Sequence, residues 1–404
     1  MTKNHQTMDI SSRVIQYPLD RQSPKNNSKP IVNPAIFSFF SGAGFLDLGF
    51  ELSGFSILLA NDINTPFISS HQFSREQLKI PFPTFGYSND DIRVFLHGNE
   101  RISLKYWIRK ARQDSGVVGF IGGPPCPDFA VGGKNKGAEG ENGILTSIYF
   151  DLIVEQKPDF FVFENVKGLW KTARHRTFYD KMKERMQQNG FITTERLINA
   201  IEYGVPQDRD RIILIGFSKQ FLINIGFYTN LPEITPDEFG WKKYTRYSRR
   251  ILKDEIWPTT TPFAPNSILA KPEGIQEDLT VEYWFNKNNV YNHPNTDNHF
   301  IPRAGLARFM TIAEGDDSKK SYKRLHRWRY SPTAAYGNNE VHLHPNQPRR
   351  ITVAEALAIQ SLPREFVLPQ NISLSHMFKA VGNGVPFLAS KAIAKTLKDF
   401  ICRN

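Results

Sequence analysis

The 404-residue sequence predicts an α/β fold: a doubly wound, mostly parallel sheet with a second, smaller irregular domain. Three observations point there. Short apolar runs recur between residues 35 and 216, each the length of one buried strand and each closed by glycine, asparagine or an acidic residue. Helical stretches lie between them, and strands alternating with helices build parallel sheets. From about 225 to 330 this regularity stops, and Asn, Pro, Tyr, Trp and Lys become prominent.

Ala35–Phe40 reads as the first strand, followed by a glycine-bearing turn and a helix through Leu46, Leu48 and Phe50. Phe55–Ala60 is a second strand, ending at Asn61-Asp62. Val117–Ile121 is a continuous apolar run suited to a strand buried on both faces. Ile144–Gln156 fits a helix that sets Leu145, Ile148, Leu152 and Ile153 on one face. Asp159–Phe163 is a strand ending at Glu164-Asn165, and Arg211–Gly216 is another. Regularity returns with a helix over Arg350–Gln360, where Thr352 is the candidate N-cap and Glu355 stands at capping-box spacing. A final helix spans about Val385 to Phe400.

This organisation divides the chain into a flexible arm (1–33), an α/β domain (34–222), an irregular domain (223–335) and a C-terminal segment (336–404). No stretch approaches the roughly 20 apolar residues of a membrane span. The polar first 30 residues lack the apolar core of a signal peptide. Two cysteines supply no disulfide framework, so the chain is expected in a reducing cytoplasm. The formal charge of +11 favours a polyanionic partner. Much of the surplus falls in two runs with interleaved aromatics. One holds Lys242, Lys243, Arg246, Arg249, Arg250 and Lys253; the other holds Lys319, Lys320, Lys323, Arg324, Arg327 and Arg329. Such runs suit phosphates and bases, although a solvated charged face has the same composition.

The chemistry centres on Cys126, set in Gly122-Gly123-Pro124-Pro125-Cys126-Pro127 directly after an apolar strand. Open α/β sheets place their chemistry at the strands' C-terminal edge, and three prolines there mount one thiol rigidly. Glu164-Asn165 closes the next strand at the same edge. A thiol beside a carboxyl suits covalent attack on a heterocycle, one group adding to carbon while the other protonates a ring nitrogen. Gly42-x-Gly44 after the first strand lets the backbone approach a ligand, and Asp62 follows eighteen residues later, as a ribose-binding acid would. The third glycine of a dinucleotide fingerprint is missing, which points to a nucleoside cofactor without phosphates, such as S-adenosyl-L-methionine. Asp91 would occupy the next edge position. Arg209 and Arg211 alternate to one face ahead of an apolar strand, suited either to an anion or to ion pairs with Asp208 and Asp210. No metal site is expected.

Taken in order, Phe40-Ser-Gly-Ala-Gly44, Pro125-Cys126, Glu164-Asn-Val166, Gln207-x-Arg209-x-Arg211 and Gly382-Asn383-Gly-Val-Pro386 resemble the motifs of the DNA cytosine-5 methyltransferases over about residues 36–400. The resemblance implies a Rossmann-like, S-adenosyl-L-methionine-dependent fold with a target-recognition domain over the irregular segment. It implies a catalytic set of Cys126, Glu164, Arg209, Arg211 and Asn165, with Asn165 bracing the loop of Cys126. It implies a cofactor site of Phe40, Gly42, Gly44, Asp62, Asp91, Leu145 and Asn383. The implied reaction is sequence-specific C5 methylation of a cytosine flipped out of double-stranded DNA, by a monomer serving a restriction-modification system with a companion endonuclease. A transfer-RNA cytosine-5 methyltransferase and a non-catalytic DNA-binding protein on this fold remain alternatives. The sequence departs from the family at Pro127-Asp128-Phe129-Ala130, at Asn142–Thr146 and at Phe45-Leu46, which bears on loop closure and cofactor affinity.

Overall fold

The computed structural model of the chain describes residues 33–125, 141–302, 305–319, 321–334, 336 and 340–403. Cys126, Pro127–Ala130 and all but the last residue of the expected arm lie outside the described residues. Seven strands form one sheet in the order β3-β2-β1-β4-β5-β7-β6. They are β1 (Ala35–Phe39), β2 (Ser56–Asn61), β3 (Tyr87–Ser88), β4 (Val118–Gly122), β5 (Phe160–Val166), β6 (Phe191–Asn199) and β7 (Asp210–Ser218). The pairs among β1 to β5 are parallel; β7 runs antiparallel to both β5 and β6.

Helices α1 (Phe45–Glu51), α2 (Thr65–Leu78), α3 (Gly98–Ser115), α4 (Glu141–Gln156) and α5 (Ala173–Gln188) connect these strands. Beyond the sheet lie α6 (Val281–Lys287), α7 (Val353–Ile359), α8 (Leu374–Asn383) and α9 (Phe387–Ile401). Thr352 and Glu355 form the expected capping box at the start of α7, with Thr352 N donating to the Glu355 carboxylate at 2.7 Å. Among the described residues no helix is long and apolar enough to cross a membrane.

Sheet strands buried on both faces give two apolar layers. One gathers Phe37, Phe39, Phe120, Phe161 and Phe163 with α4, and Phe39 meets Phe120 edge-on at 5.1 Å. The other is covered by α1 and α9, where the Ser390 hydroxyl donates to Leu46 O at 2.6 Å. That second layer also contains Ile234, Phe239 and Trp241. The core of the catalytic unit thus runs past residue 222, because apolar side chains of the following segment complete the face of β6 and β7. A third cluster joins Phe45, Leu48 and Phe67 to α6, α7 and α8. This cluster ties α1 and α2 to the irregular segment and the C-terminal segment.

Candidate active site

The strand order reverses direction between β1 and β4, the switch point where open α/β sheets bind ligands. The turn after β1 is built for close approach. Phe40, Gly42 and Gly44 all have positive φ, at 52°, 56° and 77°. A non-glycine residue held there costs on the order of 1–3 kcal/mol, a strain common at ligand sites. A Cβ at Gly42 would meet nothing within 4 Å, so the backbone faces open space. From behind, fully buried Arg75 donates Nη2 to Gly44 O at 2.7 Å and pairs Nε with Glu51 at 2.8 Å. Arg75 carried no local signal: a single arginine late in a helix gives no hint of a distant carbonyl.

Asp62 stands directly past β2. Its carboxylate accepts from Gly42 N at 2.9 Å and from Asn64 N at 2.8 Å. Burial raises its carboxyl above the ordinary range; these two N–H groups and Lys379 oppose the rise. Each oxygen keeps a lone pair for a ribose hydroxyl. Beside it Ile63 is 65 % exposed, an apolar face that the sequence reading missed because it belongs to no periodic run. Asp91 caps the short helix Ile92–Leu96 and pairs with Arg93 at 2.7 Å. Phe40 and Leu145 pack at the rim of the Phe37–Phe39 cluster, with Phe40 edge-on to Tyr149 at 6.2 Å. Asn383, exposed at the end of α8, belongs to the turn whose Gly384 lies against Phe45, the residue after Gly44. Phe40, Gly42, Gly44, Asp62 and Asp91 follow the ends of β1, β2 and β3, Leu145 lies in α4, and Asn383 lies on the segment packed against Phe45. The open cradle at Gly42 and the acceptor on Asp62 fit an adenosine-type cofactor.

The second group lies at the ends of β4 and β5. Their register sets Gly122 beside Phe163, which places Gly123 next to Glu164. A Cβ at Gly123 would come within 2.8 Å of Glu164 Oε2, so a glycine is what lets the backbone shortly before Cys126 lie against this carboxylate. Asn165 donates Nδ2 to Pro124 O at 3.2 Å, two residues before Cys126. Glu164 is 7 % exposed and pairs through Oε1 with Arg211 Nε at 2.8 Å. Burial raises its carboxyl above the ordinary range, and Arg211 and then Arg209 oppose that rise.

Arg209 departs from the expectation of an anion site. It is 1 % exposed, and its guanidinium donates to Ala334 O at 2.9 Å, Gly382 O at 2.7 Å and Gly384 O at 3.1 Å. Gln207 does related work, accepting from Ala334 N at 3.0 Å and donating to Gln360 Oε1 at 3.1 Å. These two residues fasten the irregular and C-terminal segments onto the sheet edge. The Asp208 and Asp210 carboxylates are engaged by Asn199, Lys167 and Arg249, and Arg211 Nη1 donates to Asp210 O at 2.7 Å. Arg209→Lys is expected to lower stability by about 2–4 kcal/mol, because a lysine keeps the charge but cannot serve three buried carbonyls from one planar fork. Urea unfolding measures this. Wild-type stability with a large loss of rate would restore a chemical role to Arg209.

The second basic run also differs from expectation. Arg324 and Arg327 are buried, at 1 % and 6 % exposed. Arg324 donates Nε to Ile312 O at 2.8 Å, and Arg327 donates two hydrogen bonds to Glu314, Nε to Oε1 at 2.9 Å and Nη2 to Oε2 at 2.8 Å. Desolvation forces such arginines to find fixed acceptors, and here they organise the irregular segment from within.

A glycine turn without a pyrophosphate cradle, facing carboxylates and an antiparallel seventh strand together define a methyltransferase-class α/β enzyme. The model of the C-5 cytosine-specific DNA methylases matches residues 35–399, and the chain belongs to that family. It is similar to the type II methyltransferase M.NmeDI of Neisseria meningitidis serogroup C, 56% identical over 91% of this chain and 84% of that protein. It is also similar to M.XorII of Xanthomonas oryzae pv. oryzae, 30% identical over 90% of this chain and 84% of that one. Among solved structures, Spodoptera frugiperda DNMT2 superposes with a TM-score of 0.51 at 18% identity, covering 91% of this chain and 99% of that one, a likeness of fold. The chain is thus a DNA cytosine-5 methyltransferase with the fold of S-adenosyl-L-methionine-dependent enzymes.

Proposed function

We propose that the chain methylates C5 of one cytosine within a short specific site in double-stranded DNA, as the modification enzyme of a type II restriction-modification system. The observation that carries the chemistry is the contact between the buried Glu164 carboxylate and the root of the loop bearing Cys126. The Cys126 thiolate adds to C6 of a cytosine flipped from the duplex. Flipping costs a few kcal/mol. Glu164 holds the exocyclic amine and gives its proton to N3, so that electron density collects at C5. S-adenosyl-L-methionine, when bound, supplies the methyl group. Loss of the C5 proton then breaks the C6–S bond and frees Cys126. Arg211 orients Glu164 and keeps its carboxyl from rising further; Asn165 braces the loop through Pro124 O. Asp62 would take the ribose hydroxyls, Asp91 the adenine amine, and Asn383 would close the site from α8. Phe40, Leu145 and Ile63 would supply its apolar faces.

The relatives named type II methyltransferases support the restriction-modification setting, with an endonuclease acting on the same site rather than bound to this monomer. Bisulfite sequencing of plasmid DNA from a strain expressing the chain tests the reading. Protected cytosines are expected at a single short motif on duplex DNA. Full conversion of every cytosine, with methyl transfer to transfer RNA instead, would overturn it.

A further inference from the structure

The first basic run meets the catalytic edge at a cavity of about 500 Å³ that none of the roles above uses. Its walls come from three parts of the chain: Lys167 just past β5, Asp208 and Asp210 at the start of β7, and Arg249, Arg250 and Lys253 of the irregular segment, with Tyr330. The register explains the meeting. Val166 lies opposite Arg211, so the next positions outward are Lys167 and Asp210. Asp210 Oδ2 pairs with Lys167 Nζ at 2.5 Å, and its Oδ1 pairs with Arg249. One carboxylate therefore fastens a cation of the catalytic strand to a cation of the basic run. Tyr330 reaches the same cavity because the chain after it pairs with the edge: Asp208 N donates to Ser331 O at 2.9 Å.

Four cations face two carboxylates around this cavity, an excess of two positive charges. Lys167 and Arg249 are held by Asp210 and have little freedom to leave. Arg250 and Lys253 are exposed and, among the described residues, have no ion-pair partner. Such an arrangement is a wall of fixed positive charge with two further cations available to close on an anion. Its place restricts which anion. Lys167 is three residues along the chain from Glu164, about 10 Å at ordinary strand rise. A nucleotide whose base reaches Glu164 would carry its own backbone past this cavity.

The geometry points to the cavity as a clamp for one backbone phosphodiester of the DNA strand that carries the target cytosine. Arg250 and Lys253 neutralise the phosphate against the wall of Lys167 and Arg249, and Asp210 is the strut that presets that wall. The clamp serves register rather than base identity, because phosphate contacts position a protein on DNA without reading sequence. It rests on the reading of the chain as a duplex-DNA methyltransferase.

The test uses the full chain, a 30-base-pair DNA duplex bearing the methylated site, and binding measured by fluorescence anisotropy across a salt series. The Arg250→Gln/Lys253→Gln variant is expected to bind more weakly, with the slope of log K against log salt reduced by about 1 for one lost phosphate contact. Arg250→Lys/Lys253→Arg keeps both charges and is expected to retain the wild-type slope. A scan of single neutral methylphosphonates along a duplex bearing the methylated site then locates the phosphate. One substitution should weaken the wild type and leave the Gln variant unchanged. Equal slopes for the wild type and the Gln variant would overturn the clamp, as would identical methylphosphonate profiles. A wild-type chain that neither bound nor methylated duplex DNA would instead overturn the functional reading beneath it.

Discussion

Glu164→Gln is expected to slow methyl transfer by about 100-fold or more, the scale on which a positioned acid contributes. Glutamine keeps the size of the side chain and can still bond to a cytosine edge, but it has no proton to give N3. The loss should fall on the single-turnover rate, with cofactor affinity within about twofold of wild type. A change confined to cofactor affinity would remove Glu164 from the chemistry. The pH dependence offers an independent reading. Burial raises the Glu164 carboxyl, and Arg211 holds it back. The acid must be protonated to act, so the wild-type rate falls as pH rises through that raised value. The glutamine variant should lack this limb. Arg211→Met removes the nearest counter-charge, lying at 2.8 Å, and should move the limb to higher pH. A limb that stayed in place would assign it to another group.

The parts of the fold that were legible in the sequence are those whose local chemistry leaves few options. β1, β4 and β5 are buried on both faces and read as mainly apolar runs, with Phe37, Phe120 and Phe161 wholly buried. The Thr352–Glu355 box was legible because capping depends on four neighbouring residues. β6 was missed for the opposite reason. Its sequence Phe191–Asn199 mixes Thr, Glu and Arg with apolar residues, and its polar side chains are satisfied by partners outside the strand: Arg196 pairs with Glu202 at 2.5 Å, and Glu195 with Tyr179. The antiparallel direction of β7 depends on β6 preceding it as a neighbour, and no feature of Asp210–Ser218 alone encodes it.

The same distinction holds at the site. The glycine turn, Asp62, Glu164 and Asn165 were found because each closes a recognisable strand. For Arg209, spacing shows where the guanidinium stands and not the three backbone carbonyls that surround it. Arg324 and Arg327 show the limit of counting charge. Both look like a DNA-binding run in composition, yet each is committed to acceptors inside the protein. The neighbouring run that does reach the catalytic edge has the same composition, and only tertiary pairing with Asp210 separates the two.

Cys126→Ser should abolish turnover, with a loss of roughly 10⁴-fold or more, the scale seen when a nucleophile that works as a unit with its partner is removed. A serine hydroxyl in the same mount is far less nucleophilic than a thiolate toward the C6 carbon. The direct measurement uses duplex DNA with 5-fluorocytosine at the methylated position. After methyl transfer the fluorine at C5 cannot leave as a proton does, so elimination stops and the C6–S bond persists. Wild type should therefore migrate as a denaturation-resistant protein–DNA complex, and Cys126→Ser should not. The Cys126→Ser/Glu164→Gln variant separates this covalent scheme from two independent contributions. If adduct formation and N3 protonation are one coupled event, the double variant should be about as slow as Cys126→Ser alone, because a group acting as a unit is lost with its first member. A further 100-fold loss in the double variant would mean that Glu164 assists a step that does not need the thiol. Turnover by Cys126→Ser at the wild-type rate would remove the covalent mechanism altogether.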